Sequence, residues 1–387
     1  MLLNRAIIVK LYQRCTIFVH TLTQYLFVLP FAALFKTGSL HGMTFLSELN
    51  NTIQILSTPG KGILAADESE ATISKRFSAL KIPTTESMRQ TWRDLLITTP
   101  KVSQFIAGVI LFEETLKQKA LDGTPFPEKL RQLGILPGIK VDQGLTLLPG
   151  TQDEQITQGL DKLGDRLAQY RELGARFAKW RAVYSISNTT PSRLAIKTNA
   201  EVLARYAGLC HANGIVPIVE PEVLLDGSHT LEQCAEVSEQ VLHAVFHALH
   251  NHHVRLEHIV LKPSMVISGK TCSKRADVNT VAAATLAVLK RTVPAAVPTI
   301  NFLSGGQTSE EATAHLNAMH TLAKGTLPWN LSYSYARALQ EQAMQTWHGD
   351  AKQIPSAQKV FYHRAHLNSL AATGKYTPAL EKENSVA

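Results

Sequence analysis

From residue 43 onward the chain alternates between short apolar runs and longer amphipathic stretches. Eight of the runs have the make-up of strands: "GILAAD" (62–67), "FIAGVILF" (105–112), "PGIKVD" (137–142), "FAKWRAVYSI" (177–186), "IVPIVEPEV" (215–223), "HIVLKP" (258–263), "PTINFLSG" (298–305) and "LSYSY" (331–335). Between them apolar residues recur at helical spacing. Ile156, Leu160, Leu163, Leu167 and Tyr170 form one predicted stripe, and Cys234, Val237, Val241, Ala244, Val245 and Ala248 another. Strands that are apolar throughout, each followed by a helix, predict an α/β fold with a parallel sheet. Eight such units predict a single-domain (β/α)8 TIM barrel. A doubly wound open sheet is the alternative, but no GxGxxG turn follows the first run. The expected division is an N-terminal extension (1–42), the barrel (43–375) and a short flexible C-terminal tail (376–387).

Charges interrupt these runs near their C-terminal ends. Lys262 closes an apolar run just before Pro263, and Asp67 ends the first run. Lys140 and Asp142, Lys179 and Arg181, and Glu220 and Glu222 each stand two residues apart. Residues two apart in a strand share a face. Helices cover the outside of a barrel, so these charges meet on the inside, at the end where such barrels carry active sites. One buried lysine would read as a core salt bridge. A set whose members neutralise one another at the strand ends reads as a catalytic centre.

That mixture suggests a chemistry. Crowding Lys262, Lys179 and Lys140 is expected to make each easier to deprotonate. Moving a lysine from about 10.4 to about 7.5 takes roughly 4 kcal/mol of bias against its charged form. A neutral amine attacks a carbonyl to form a Schiff base, which makes Lys262 the candidate nucleophile. Glu220 is then suited to proton shuttling, and Asp67 to taking or returning a hydroxyl proton.

An anion site is also legible. Ser304 and Gly305 close the seventh run and Gly306 follows it, just before a helix start at Thr308 or Ser309; Ser334 lies at the end of the eighth run and Arg337 just beyond it. Bare N–H groups near a helix start and a forked cation both bind phosphate. The loops after strands seven and eight are the recurrent phosphate position of this architecture.

Composition narrows the alternatives. The chain has 387 residues, 45% hydrophobic and 18% charged, with a net charge of +8. Four of those charges (Arg5, Lys10, Arg14, Lys36) lie in residues 1–42, which hold no acid. No Lys/Arg run interleaved with aromatics occurs, so no nucleic-acid partner is expected. Cys15, Cys210, Cys234 and Cys272 form no CxxC pair, which argues against a zinc site or disulfide scaffold and for a reducing compartment. His243, His247 and His250 are the best support for a metal-dependent rival, yet no carboxylate at suitable spacing completes a ligand set. Within 1–42 the stretch 15–35 is uncharged. It is read first as an over-extended reading frame ahead of Met43, where an amphipathic helix is expected to start, with a targeting segment or a membrane anchor as alternatives.

"GKGILAADES", "GVILFEETL", "GIKVDQG", "FAKWR", "ARYAGLCHANGIVPIVEPEVLLDG", "LKPSM", "FLSGGQ" and "SYARALQ" together resemble the class I fructose-bisphosphate aldolases, from about residue 50 to 378. The resemblance implies Lys262 as Schiff-base lysine, Glu220 as acid/base, Asp67 for carbon–carbon cleavage, and Lys179 and Glu222 as assistants. It implies Lys140, Arg181 and Ser69, with Lys75, Arg76 and Arg89, for the substrate and its distal phosphate. Ser304, Gly305, Gly306, Ser334 and Arg337 match the ketose-phosphate site. It further implies phosphorylated ketose and triose substrates, no metal or other cofactor, a homotetramer and a cytoplasmic setting. Three positions depart from the family pattern. Ala336 stands where glycine usually precedes the arginine, Ala71 and Thr72 where Gly and Ser are common, and "ENSVA" ends the chain without a terminal tyrosine. The last departure leaves the preference between bisphosphate and monophosphate open.

A chain beginning at Met43 is expected to fold and to cleave the substrate normally, because the strand-like runs begin only at residue 62. Soluble yield, oligomer mass and specific activity of both forms decide this. Activity confined to the full-length chain would make the extension part of the fold.

Overall fold

The computed structural model describes residues 39–382. Its strands are β1 (Gly62–Ala66), β2 (Ile106–Leu111), β3 (Leu136–Lys140), β4 (Leu145–Leu147), β5 (Gln155–Thr157), β6 (Phe177–Tyr184), β7 (Val216–Val223), β8 (Val260–Leu261), β9 (Thr299–Phe302) and β10 (Asn330–Tyr335). The longer helices are α1 (Ser39–Leu56), α2 (Glu70–Ala79), α3 (Glu86–Ile97), α4 (Glu113–Lys117), α5 (Phe126–Gln132) and α6 (Leu163–Glu172). After them come α7 (Arg193–Ala212), α8 (Leu231–Asn251), α9 (Val278–Thr292), α10 (Ser309–Ala323), α11 (Arg337–Trp347) and α12 (Ile354–Ala371).

All eight apolar runs are strands of one closed parallel barrel, in the order β1-β10-β9-β8-β7-β6-β3-β2. The shortest, β8, is prolonged by one residue, since the Lys262 N–H donates to the Val219 carbonyl at 2.8 Å. Alternation along each strand sorts the core into two regions. Leu64, Ala178, Trp180, Val219, Ile300 and Tyr333 pack between barrel and helices. Ile63, Ala65, Ile110, Phe177, Ile218 and Val260 pack together with Leu49, Ile53 and Leu56 of α1. The 4–3 spacing of those three helical residues places them on one face, which meets the residues that begin the strands. Two glycines make room for the largest of this group. A Cβ on Gly138 would stand 2.2 Å from the Phe177 ring, and one on Gly108 2.9 Å from it.

Three expectations are corrected. Ile156 belongs to β5, paired with Thr146 in an antiparallel hairpin, and Leu160 precedes α6. Gly159 at φ +118° and Lys162 at φ +53° keep the helix from reaching back to them. The helix expected from Met43 begins at Ser39. The segment expected to be a flexible tail from 376 is anchored as far as Lys382. Tyr376 is buried and donates its hydroxyl to Glu381 at 2.9 Å, while Glu381 takes both ends of the buried Arg364 fork at 2.9 and 2.6 Å. The proposed targeting or anchoring stretch lies outside the described residues. Among the described residues no helix is long and apolar enough to cross a membrane.

Gly138→Ala is expected to cost about 1–3 kcal/mol, because the Phe177 ring has to leave its place. Urea unfolding measures it; an unchanged midpoint would mean that the ring has spare room.

Candidate active site

The two-residue period of the strands carries the charges to one place. β6 turns Phe177, Lys179 and Arg181 inward, and β7 turns Val216, Ile218, Glu220 and Glu222 the same way. The apolar members come first and the charged members last, so ions collect only at the C-terminal mouth. There Lys179 Nζ lies 2.7 Å from Asp67 Oδ2 and 3.5 Å from Glu220 Oε2, and Lys262 Nζ lies 3.1 Å from Glu220 Oε1. All four side chains are buried. Beside them Lys140 bonds Asp142 Oδ1 at 2.6 Å, and Arg181 Nε donates to Glu222. Four cations thus face four carboxylates, and the cluster is neutral as a whole.

Balance of this kind decides the protonation states. Burial pushes the Glu220 carboxyl up, but Lys262, Lys179 and Arg181 outweigh it and hold it below the usual glutamate value. Asp67 behaves alike: burial raises it, and Lys179, Lys262 and Lys140 bring it below the usual aspartate value. Lys179 corrects an expectation. Burial by itself would ease its deprotonation, yet Asp67 and Glu220 hold it firmly charged, well above an ordinary lysine. Crowding with other lysines therefore does not make it easier to deprotonate, because two carboxylates stand within 3.5 Å of its ammonium group.

The anion-binding features sit on the strand ends expected, but the two helices exchange roles. Gly305 (φ +54°) and Gly306 (φ +90°) form a left-handed turn after β9 that favours glycine. Ser304 is buried, and a Cβ on Gly306 would stand 3.6 Å from Arg337 Nη2, so loop and guanidinium adjoin. The N-terminus of α10 is closed by its own capping box, Thr308 Oγ1 accepting from the Glu311 N–H at 3.1 Å and Glu311 Oε2 from the Thr308 N–H at 3.0 Å. It is α11, entered through Ala336, that has no side-chain cap. Just before it the buried Ser334 hydroxyl has no hydrogen-bond partner. Ala336 itself has φ −101° and ψ −91°, outside the left-handed region that favours glycine.

The remaining candidates divide. Ser69 shares a 3.1 Å hydrogen bond with Thr72, one of the departures from the family pattern. Lys75 is exposed on α2. Arg76 pairs with Glu68 and donates to Gln340 Oε1 at 3.2 Å, which puts it against α11 and within electrostatic range of Arg337. Arg89 is not brought to the mouth. Its fork closes on Glu114 (2.9 and 2.5 Å) and its third nitrogen on the Thr84 carbonyl (2.9 Å), so its donors are already engaged. His243, His247 and His250 are exposed on α8, His247 beside Asn251 at 3.1 Å. Among the described residues no group of three or more His, Cys, Asp or Glu is arranged to hold a metal ion. Sequence reasoning passed over Glu68, Arg93 and Gln340. Glu68 pairs with both arginines, and Gln340 reaches the Ala65 carbonyl at 2.6 Å, two residues before Asp67. Their only signal was one more acid beside Asp67 in "ADES".

Comparison with known proteins gives the family and the fold it shares. Residues 48–387 match the family model described as "Glycolytic: Fructose-bisphosphate aldolase class-I". The chain is 52% identical over 332 residues to a "Probable fructose-bisphosphate aldolase class 1" of Xanthomonas campestris, covering 86% of this chain and 99% of that protein. It is 54% identical to "Fructose-bisphosphate aldolase 6, cytosolic" of Arabidopsis thaliana, over 86% of this chain and 92% of that one. Its fold is similar to the aldolase of Plasmodium falciparum solved with TRAP and a small-molecule inhibitor. The TM-score is 0.85 at 48% identity, over 86% of this chain and 96% of that one.

Lys179→Met is expected to cost about 3–5 kcal/mol near neutral pH, because it leaves Asp67 buried with its nearest cation gone. The sign of the pH dependence should also reverse. In the native protein Asp67 is held low, so its contribution is present above about pH 4 and lost as the pH falls through the lowered value. In the variant burial dominates and raises Asp67, so protonation favours the folded state and the deficit shrinks on acidification. Denaturant unfolding at several pH values tests this; a deficit independent of pH would remove Asp67 from the account.

Proposed function

Since the chain belongs to the class-I fructose-bisphosphate aldolase family, we propose that it cleaves fructose 1,6-bisphosphate reversibly through a Schiff base on Lys262. As a member of that family it is a lyase. The observation that carries the mechanism is the buried Lys262–Glu220 contact at 3.1 Å, with Lys179 joining Glu220 to Asp67.

Transfer of the Lys262 proton to Glu220 leaves a neutral amine and a carboxylic acid, the pair that the first step requires. The amine adds to the C2 carbonyl of the open-chain ketose. Glu220 returns its proton to the departing hydroxyl, water leaves, and a protonated imine remains. Asp67 then takes the proton of the C4 hydroxyl and the C3–C4 bond breaks. Its electron pair moves into the imine to give an enamine as glyceraldehyde 3-phosphate departs. Protonation at C3 consumes one proton, balancing the one Asp67 took and gives up again, and hydrolysis releases dihydroxyacetone phosphate and restores the Lys262 amine. Lys179 stays charged throughout and keeps Asp67 and Glu220 as bases between steps. Glu222 orients Arg181 from the side of Gly305. The imine is the electron sink, so the reading calls for no metal.

One phosphate is assigned to Ser304, Gly305, Gly306, Ser334 and Arg337. This is supported by the left-handed turn, the orphan Ser334 hydroxyl and the uncapped start of α11. Lys140, Arg181 and Ser69 are assigned to the distal end, with Arg76 and the exposed Lys75 at its rim. Work in glycolysis in the cytosol is supported by the family description and by a relative named cytosolic, and gluconeogenesis and a homotetramer complete the reading.

Borohydride with dihydroxyacetone phosphate is expected to inactivate the protein covalently at Lys262, and Lys262→Ala to abolish the label. Peptide mapping decides; a label on Lys179 would overturn the assignment. Arg337→Ala is expected to remove a charge-assisted fork of roughly 1.5–3 kcal/mol. The KM for phosphorylated ketoses should rise about 10- to 100-fold, and that for unphosphorylated ones much less. An equal rise for both would make Arg337 structural.

A further inference from the structure

Behind the phosphate turn lies a buried relay that the mechanism above does not use. Gln307, the residue after Gly306, is buried and holds the turn twice. Its backbone N–H donates to the Ser304 carbonyl at 2.9 Å, and its side-chain Nε2 to the same oxygen at 3.0 Å. The same Nε2 lies 3.7 Å from Met265 Sδ, three residues beyond Lys262. The other end of the amide, Oε1, lies 2.6 Å from Nδ1 of the buried His315 on α10.

A glutamine amide has two ends of similar shape and opposite hydrogen-bonding character. Were it reversed, Oε1 would face the Ser304 carbonyl, two acceptors in contact. A donor fixed at Oε1 forbids the reversal. Oε1 only accepts, so the His315 proton must reside on Nδ1. Burial lowers the His315 pKa to about 4, which leaves the ring neutral near pH 7.

We propose that His315 is a positioning residue for phosphate recognition: by donating from Nδ1 to Gln307 it locks the amide that holds the Ser304–Gly306 turn toward the ketose phosphate. This rests on the reading that the turn binds that phosphate. His315 touches no substrate. It acts through Gln307, and Gln307 acts on the loop that has to keep its N–H groups convergent.

The test separates a lost donor from lost packing. His315→Leu keeps bulk and removes the donor, whereas His315→Asn puts Nδ2 close to where Nδ1 stands. For His315→Leu the KM for fructose 1,6-bisphosphate should rise about five- to tenfold with kcat little changed, roughly what one neutral hydrogen bond provides. Affinity for dihydroxyacetone phosphate, measured by titration calorimetry, should fall by a similar factor. The KM for an unphosphorylated ketose should not move. His315→Asn should restore most of the affinity. Gln307→Met, similar in volume and without polar ends, should reproduce the His315→Leu pattern and serves if that variant fails to fold. Equal losses for phosphorylated and unphosphorylated ketoses, or no rescue by asparagine, would overturn the proposal. Arg337→Ala in the same series keeps the two levels apart. If it weakens phosphate binding and His315→Leu does not, the relay alone is wrong; if neither does, the phosphate assignment falls with it.

Discussion

Lys179, held between Asp67 and Glu220, is the constraint on which the mouth of the barrel depends. Each of these ions by itself would carry a penalty of several kcal/mol for leaving water. Together with Lys262, and flanked by the Lys140–Asp142 and Arg181–Glu222 pairs, they neutralise one another at contact distance. The arrangement is tolerable only because the members come from several strands of a closed sheet. No local segment could present as many partners to one ammonium group.

The same balance makes the chemistry responsive. Lys262 is the largest of the influences that hold Glu220 low. In the proposed mechanism, converting the ammonium to a neutral amine removes that influence and lets Glu220 hold a proton at the moment the carbinolamine needs one. Lys179 does not take part in that exchange. Its two carboxylates keep it charged, so it acts as a stationary counter-ion while protons move around it.

The proposed phosphate site follows a different logic, in which backbone N–H groups stand beside a single side-chain charge, that of Arg337. The turn at Gly305 and Gly306 and the open start of α11 offer N–H groups beside Arg337, while α10 satisfies its own first turn with Thr308 and Glu311. Closing α10 frees its inner face for another use, since His315 can then support the turn from behind through Gln307. In this reading recognition draws on two consecutive β/α units, and the support comes from the first of them.

The barrel was legible because its signal is local. Buried parallel strands must be apolar on both faces, and each of the eight apolar runs lies in the closed sheet. The inward charges were legible for a related reason, as a side-chain period of two forces residues such as Lys179 and Arg181 to one side whatever their partners. Partners themselves are not local. That Arg89 closes on Glu114 and not on the mouth, and that Arg76 leans on Gln340 of α11, depends on helices far apart in sequence. The misplaced Ile156 shows how an apolar spacing of three and four fits a helix until backbone geometry intervenes, here at Gly159 and Lys162. The direction of each pKa shift needed the tertiary structure above all, because it is a difference between burial and the distances to opposite charges. By itself the sequence determined which strand residues face the barrel mouth. Only the fold decided which of them touch, and therefore which stay charged.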